Sequence, residues 1–198
     1  MILNVSQLSH TYPPFKPCLK DLNFTAESGS LIHVTGNNGS GKTTLLRLLS
    51  GVLDPMSGTI EKSVGHTYIP AEGNGFIFDY SIWQNLESFF FLKEKVFPKD
   101  LASQVLSQFG FQHEFIIRHL PIKKLSTGMK KKASLARLIL ENEPLWILDE
   151  PINALDFETI QTFQSFLKNH LDQKNCAIIS SHDDRLFQGL NPKVIPLT

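Results

Sequence analysis

Apolar and polar positions alternate loosely over residues 3–8 and 22–26, which read as half-buried strands. Pro13, Pro14 and Pro17 mark the turn between them. Residues 31–35, Leu31-Ile32-His33-Val34-Thr35, form a buried strand that runs into a glycine-rich stretch, and residues 42–50 form a helix that Gly51 is placed to stop. Turn signals at Asp54-Pro55 and Ser57-Gly58 precede short strands over 59–61 and 66–70. From Ile82 the period lengthens. Ile82, Trp83, Leu86, Phe89 and Phe90 recur at helical spacing, and Leu101, Val105, Leu106 and Phe109 continue in a second helix. A third helix spans 126–140, so residues from about 74 to 138 read as a helical subdomain inserted into an α/β core. Residues 145–148 are a continuous apolar strand, as in a sheet covered on both faces. Asp156 caps a further helix with Phe157, Ile160, Phe163, Leu167 and Leu171 on its buried side, and residues 177–180 are a last central strand.

A chain of 198 residues accommodates one domain of this kind, and with 41% apolar and 19% charged residues it folds around a real core. Lys plus Arg and Asp plus Glu both number 19, so the formal net charge is zero and no broad attraction to nucleic acid or anionic lipid is expected. The two cysteines, Cys18 and Cys176, make neither a metal cluster nor a disulfide framework. No basic segment followed by a long apolar one opens the chain, and no run of about 18 apolar residues occurs, so neither a signal peptide nor a membrane span is expected.

Candidate chemistry begins at Gly36-Asn37-Asn38-Gly39-Ser40-Gly41-Lys42-Thr43, followed by Thr44, between the strand at 31–35 and the helix at 42–50. G-x-x-x-x-G-K-T in that setting is a phosphate loop: backbone N–H groups close around phosphate oxygens at a helix start. Lys42 reaches the β- and γ-phosphates, and the Thr43 hydroxyl holds Mg²⁺. The apolar strand at 145–148 ends in Asp149-Glu150, carboxylates placed where ligands of open α/β sheets bind. Asp149 holds Mg²⁺ through water, and Glu150 deprotonates the water that attacks the γ-phosphate.

Leu125-Ser126-Thr127-Gly128-Met129, lying between the phosphate loop and Asp149-Glu150, resembles the signature motif of ABC ATPases, with Thr127 and Met129 in place of that family's Gly and Gln. The resemblance covers nearly the whole chain. It implies a P-loop NTPase core with an antiparallel β subdomain and the helical insertion, binding ATP with Mg²⁺. Tyr12 stands where the family stacks an aromatic ring on adenine. Ile152-Asn153-Ala154-Leu155-Asp156 looks like the D-loop, and His182 looks like the switch histidine that contacts the γ-phosphate. The family's Mg²⁺-binding Gln is missing from Tyr68-Ile69-Pro70-Ala71-Glu72-Gly73. Counting forward from Tyr68 puts Ala71 there, and counting back from Gln84-Asn85-Leu86 puts Glu72 there; Glu72 is preferred because a carboxylate oxygen ligates Mg²⁺. Lys123, Lys124, Lys130, Lys131 and Lys132 surround the signature, which is unfavourable at a helix start and makes sense if that end faces a neighbour's polyphosphate.

The resemblance further implies an ATPase subunit of an ABC transporter, cytoplasmic and peripheral on the inner face of the cell membrane. It works as a head-to-tail homodimer or beside a paired ATPase subunit. Ser126 and Gly128 of one copy complete the other's ATP site, Asp156 of the D-loop counts among the nucleotide-binding residues, and a separate membrane permease receives the motion in a groove near Gly73, Phe76, Phe78, Tyr80 and Trp83. Two exporter types compete. The ending Ile195-Pro196-Leu197-Thr198 resembles the haem-exporter ATPase of cytochrome c maturation, while Leu125 to Lys130 and Glu72 resemble ATPases of drug or polysaccharide exporters; a generic exporter is the preferred reading. A soluble ABC protein of translation or DNA repair usually carries two ATPase domains or a long coiled-coil insertion, neither of which this chain has.

Overall fold

A computed structural model of the chain describes residues 1–12, 16–72 and 75–198, with the side chains of Lys16 and Pro17 excepted; Pro13, Pro14 and Gly73 fall outside them. In chain order, β1 (Leu3–Tyr12) and β2 (Lys16–Ala26) are followed by β3 (Leu31–Thr35), α1 (Lys42–Ser50), β4 (Ser57–Lys62) and β5 (His66–Ile69). A helical stretch comes next: α2 (Ile82–Leu92), α3 (Lys99–Gln108), α4 (Glu114–Arg118), a 3₁₀ turn at Ile122–Lys124 and α5 (Thr127–Glu141). The chain closes with β6 (Leu145–Asp149), α6 (Phe157–Asp172), β7 (Cys176–Ser180), a 3₁₀ turn at Asp184–Phe187 and β8 (Lys193–Pro196).

Two sheets result. β2-β1-β4 is antiparallel, and β5-β6-β7-β3-β8 is parallel. Pro17 does not turn the chain. It lies within β2 opposite Thr11, on an edge strand where its missing N–H breaks no interior ladder. Every residue of β6 and β7 is buried, as a sheet covered on both faces requires. The period-two alternation then sorts their side chains. Trp146, Leu148, Ala177 and Ile179 join the apolar cluster that contains α2, α3, α5 and α6. Leu145, Ile147, Cys176 and Ile178 join the opposite cluster, in which Leu45, Leu46, Leu48 and Leu49 of α1 meet Leu3, Val5 and Leu8 of β1.

Helix ends follow their local chemistry. Gly51 closes α1 in the left-handed conformation, Ser81 and Gln84 form a capping box on α2, and Asp156 caps α6 by accepting from the Thr159 N–H at 2.8 Å. Ile160, Phe163 and Leu167 are buried on α6, but Phe157, its first residue, is 59% exposed. Phe76 is buried in the core, and Phe78 and Tyr80 are exposed. A buried ionic cluster ties the helical stretch to the parallel sheet. Glu141 of α5 pairs with Arg137 at 3.0 Å and with Lys93, just past α2, at 2.6 Å, and it accepts from Thr67 Oγ1 of β5 at 2.7 Å. No helix among the described residues is long and apolar enough to cross a membrane.

Candidate functional site

The C-terminal ends of β3, β6 and β7 converge on a cavity of about 520 Å³, within the range of nucleotide-sized pockets. β3 delivers the glycine loop, which passes into α1. Gly41, at φ +98°, sits at the N-terminus of α1, and a Cβ there would lie 2.8 Å from the Cys18 carbonyl oxygen. Only glycine lets the loop press this closely on β2. Lys42, almost fully buried, donates from Nζ to the carbonyl oxygens of Gly36 at 2.7 Å and Asn37 at 3.2 Å, so the ammonium lies inside the curve of the loop.

β6 ends in Asp149, which is 1% exposed. A carboxylate buried so deeply needs donors. Thr43 Oγ1 donates to its Oδ2 at 2.7 Å, and Ser180 Oγ at the end of β7 donates to its Oδ1 at 2.5 Å. The next residue, Glu150, takes a left-handed backbone conformation at φ +47°, an uncommon one for a non-glycine. Its N–H donates to the Ser180 carbonyl at 3.0 Å, and its side chain lines the cavity. Glu150 Oε1 is buried and accepts no hydrogen bond from the described residues; His182 Nε2 stands 3.6 Å away. The His182 backbone N–H donates to Glu150 Oε2 at 3.4 Å. A buried acceptor on a polar cavity suits a proton donor bound there.

Of the residues singled out from the sequence, the cavity gathers Tyr12, Asn38, Gly39, Gly41, Lys42, Thr43, Thr44, Asp149, Glu150 and His182. Tyr12 is partly exposed at the end of β1, edge-on to His10 with centroids 5.0 Å apart. Two further lining residues, Cys18 and Asn153, were not foreseen there: Cys18 carries no motif, and Asn153 was visible only as part of the loop 152–156. Gly36, Asn37 and Ser40 of the loop do not line the cavity, and neither do Ser126, Gly128 and Asp156. Ser126 caps α5, its Oγ accepting from the Met129 N–H at 3.2 Å. Gly128 abuts the loop after β6 so closely that a Cβ would lie 2.8 Å from the Ala154 carbonyl oxygen. Glu72 is exposed and outside the lining, and Gln84 is engaged in its capping box.

The lysines of α5 differ from the expectation of a face turned to a neighbour's phosphates. Lys132 pairs with Asp156 at 2.7 Å, and this contact, with the Thr159 bonds, holds the Asp156 carboxyl well below the usual carboxylate range. Lys131 is 3% exposed and donates to the Ala71 carbonyl at 3.2 Å. Burial pushes its pKa down, against the opposing pull of Asp149 and Glu150.

A family model described as ABC transporter matches residues 19–153. The chain belongs to the ABC transporter family. The cytochrome c biogenesis ATP-binding export protein CcmA of Ruegeria sp. (strain TM1040) is 34% identical over 173 residues, which cover 87% of this chain and 81% of that protein. The protein of the same name from Nitrosospira multiformis is 32% identical over 188 residues, covering 89% and 90%. A putative ABC transporter ATP-binding protein from Pyrococcus furiosus matches in three dimensions with a TM-score of 0.80 at 26% identity, covering 100% of this chain and 98% of that one. The dimeric, post-hydrolysis ATP-binding cassette MJ0796 bound to ADP and Pi, at 19% identity, shares the fold with a TM-score of 0.87. As a member of that family the chain is an ATP-binding and ATP-hydrolysing subunit serving transport, and its α/β architecture is the one that the signature-centred resemblance implied.

Proposed function

We propose that the chain, residues 1–198 as one ATPase domain with a helical subdomain over about 74–138, powers export through a separate membrane permease from the inner face of the cell membrane. The observation that carries the reading is the meeting of the glycine loop, Thr43, Asp149, Glu150 and His182 on one cavity. Gly36, Asn37, Asn38, Gly39, Ser40, Gly41 and Thr44 cradle the phosphates, Lys42 neutralises the β- and γ-phosphates, and Tyr12 stacks on the adenine. Thr43 and Asp149 suit Mg²⁺, being hard oxygen donors already 2.7 Å apart. When bound, Mg²⁺ neutralises charge on the β- and γ-oxygens. Glu72 belongs to the metal set on its sequence position alone.

Glu150 accepts the proton of the attacking water on Oε1, which accepts no hydrogen bond from the described residues and has His182 Nε2 3.6 Å away. His182 orients the γ-phosphate beside it. Ser126, Gly128 and Asp156 lie outside the cavity of their own chain, which suits action on the nucleotide of a second copy in a head-to-tail pair, a homodimer or a pair with a related subunit. Relatives named cytochrome c biogenesis ATP-binding export proteins favour that export system over a generic exporter, since they align along most of this chain and of their own.

Ser126→Arg tests the composite site. The isolated monomer should bind a fluorescent ATP analogue as the unmodified chain does, while turnover falls at least about tenfold, because the guanidinium blocks closure over the partner's nucleotide. Equal losses of monomer affinity and turnover would contradict the arrangement.

A further inference from the structure

β3 carries an imidazole in an apolar layer. His33 shares its face of the strand with Leu31, stands opposite Ile179 of β7, and is 6% exposed. A polar ring so placed is costly unless it is hydrogen-bonded. His33 Nε2 lies 2.9 Å from the Ser181 carbonyl oxygen. A carbonyl only accepts, so Nε2 carries the hydrogen. The same ring stacks on Phe187, with centroids 4.0 Å apart and planes inclined by 29°. Between these two contacts runs the loop that bears His182. Ser181 precedes it directly. Downstream, Asp183 caps the 3₁₀ turn by accepting from the Arg185 N–H at 3.0 Å, and that turn ends in Phe187. One buried side chain thus grips the loop before and after His182, while His182 itself is more than half exposed, with its Nε2 3.6 Å from Glu150 Oε1 and its N–H donating to Oε2 at 3.4 Å.

We infer that His33 is a positioning residue of the ATPase: it fixes the Ser181 carbonyl and the Phe187 ring, and through them the distance of His182 from Glu150. The inference rests on the proposed roles of His182 and Glu150. It gives a function to a polar residue that core packing alone would leave to Leu or Ile. Gln is the conservative replacement, because its amide nitrogen reaches about as far as Nε2 and donates to the same carbonyl.

The test is a double-substitution cycle in the full chain. It uses equilibrium binding of a fluorescent ATP analogue and single-turnover phosphate release on His33→Leu, His33→Gln, His182→Ala and the double variant His33→Leu/His182→Ala. His33→Leu should bind the analogue within about twofold of the unmodified chain and release phosphate about tenfold more slowly, the cost of a misplaced catalytic group. His33→Gln should keep most of the rate. In the His182→Ala background, His33→Leu should add no further loss, since residues that act through one another are not additive. A full further loss in that background, or an unchanged rate for His33→Leu alone, overturns the inference. An unchanged rate for His182→Ala alone instead overturns the role of His182 on which the inference stands. If His33→Leu does not fold, His33→Asn replaces it in the same cycle, its amide being one methylene too short to reach Ser181.

Discussion

Lys42 and Asp149 show how single residues hold the site ready. The Lys42 ammonium donates to two loop carbonyls, and a polyphosphate offers the same donor charged acceptors, which bind about twice as strongly. Lys42→Ala should therefore lower ATP affinity by about tenfold to a hundredfold, equivalent to one charged hydrogen-bonding group, with the fold intact. Equilibrium binding of an ATP analogue, with circular dichroism as the control for folding, reads the outcome. At this scale much of the site was legible. G-x-x-x-x-G-K-T carries its own loop and helix start, and an apolar strand ending in Asp-Glu puts Asp149 at the strand end, whereas the left-handed backbone that turns Glu150 into the same cavity is not written in the pattern. Lys131 and Cys18 were not legible. A lysine in a basic run reads as solvated, and its partner here is a backbone carbonyl sixty positions away, which no side-chain pattern reports. Cys18 reaches the cavity only because β2 passes beneath the loop at Gly41.

At the scale of elements, α6 couples a cap to a buried stack. Asp156 accepts from both the N–H and the hydroxyl of Thr159 and pairs with Lys132 of α5. Asp156→Ala should cost about 1 kcal/mol or slightly more in unfolding free energy, the usual worth of an N-cap, as read by urea denaturation at neutral pH. At the other end of α6, His170 stacks on Trp146 at 3.7 Å, and burial pushes its pKa down to about 4. The unfolded chain binds a proton near pH 6.5, above the folded value. His170 therefore leaves stability unaffected above about 6.5, and stability is lost as the pH falls from there towards 4, where the unfolded state holds the extra proton. His170→Gln, which keeps a donor for the Cys176 carbonyl, should flatten that part of the acid-unfolding profile; an unaltered slope would place the acid sensitivity elsewhere. Long periodic elements such as α2, α5 and α6 were readable from spacing. β8 was not, since Lys193–Pro196 is four residues long, mostly exposed, and paired with β3 at the edge of the described sheet. Phe157 does not join the buried side of α6, because at the first turn the helical period alone does not fix which residues are covered.

On the scale of the whole molecule, two apolar layers on either side of the parallel sheet make the C-terminal strand ends a fixed platform, and the cluster around Glu141 ties the helical stretch to β5. The order of strands was not readable, because β5-β6-β7-β3-β8 is set by crossovers that local pattern does not encode; the class of fold was, because the phosphate loop, signature and Asp-Glu pair occur in one order along one chain. ATP cleavage with Glu150 as the base is the proposed chemistry of this ABC ATPase. The most direct measurement is ATP turnover by Glu150→Gln, followed together with its size in the presence of ATP. The amide keeps the side chain's shape and removes the proton acceptor, so the variant should bind ATP normally, turn over at least about a hundredfold more slowly, and elute as an ATP-bound dimer. Turnover at the rate of the unmodified chain would contradict Glu150 as the base.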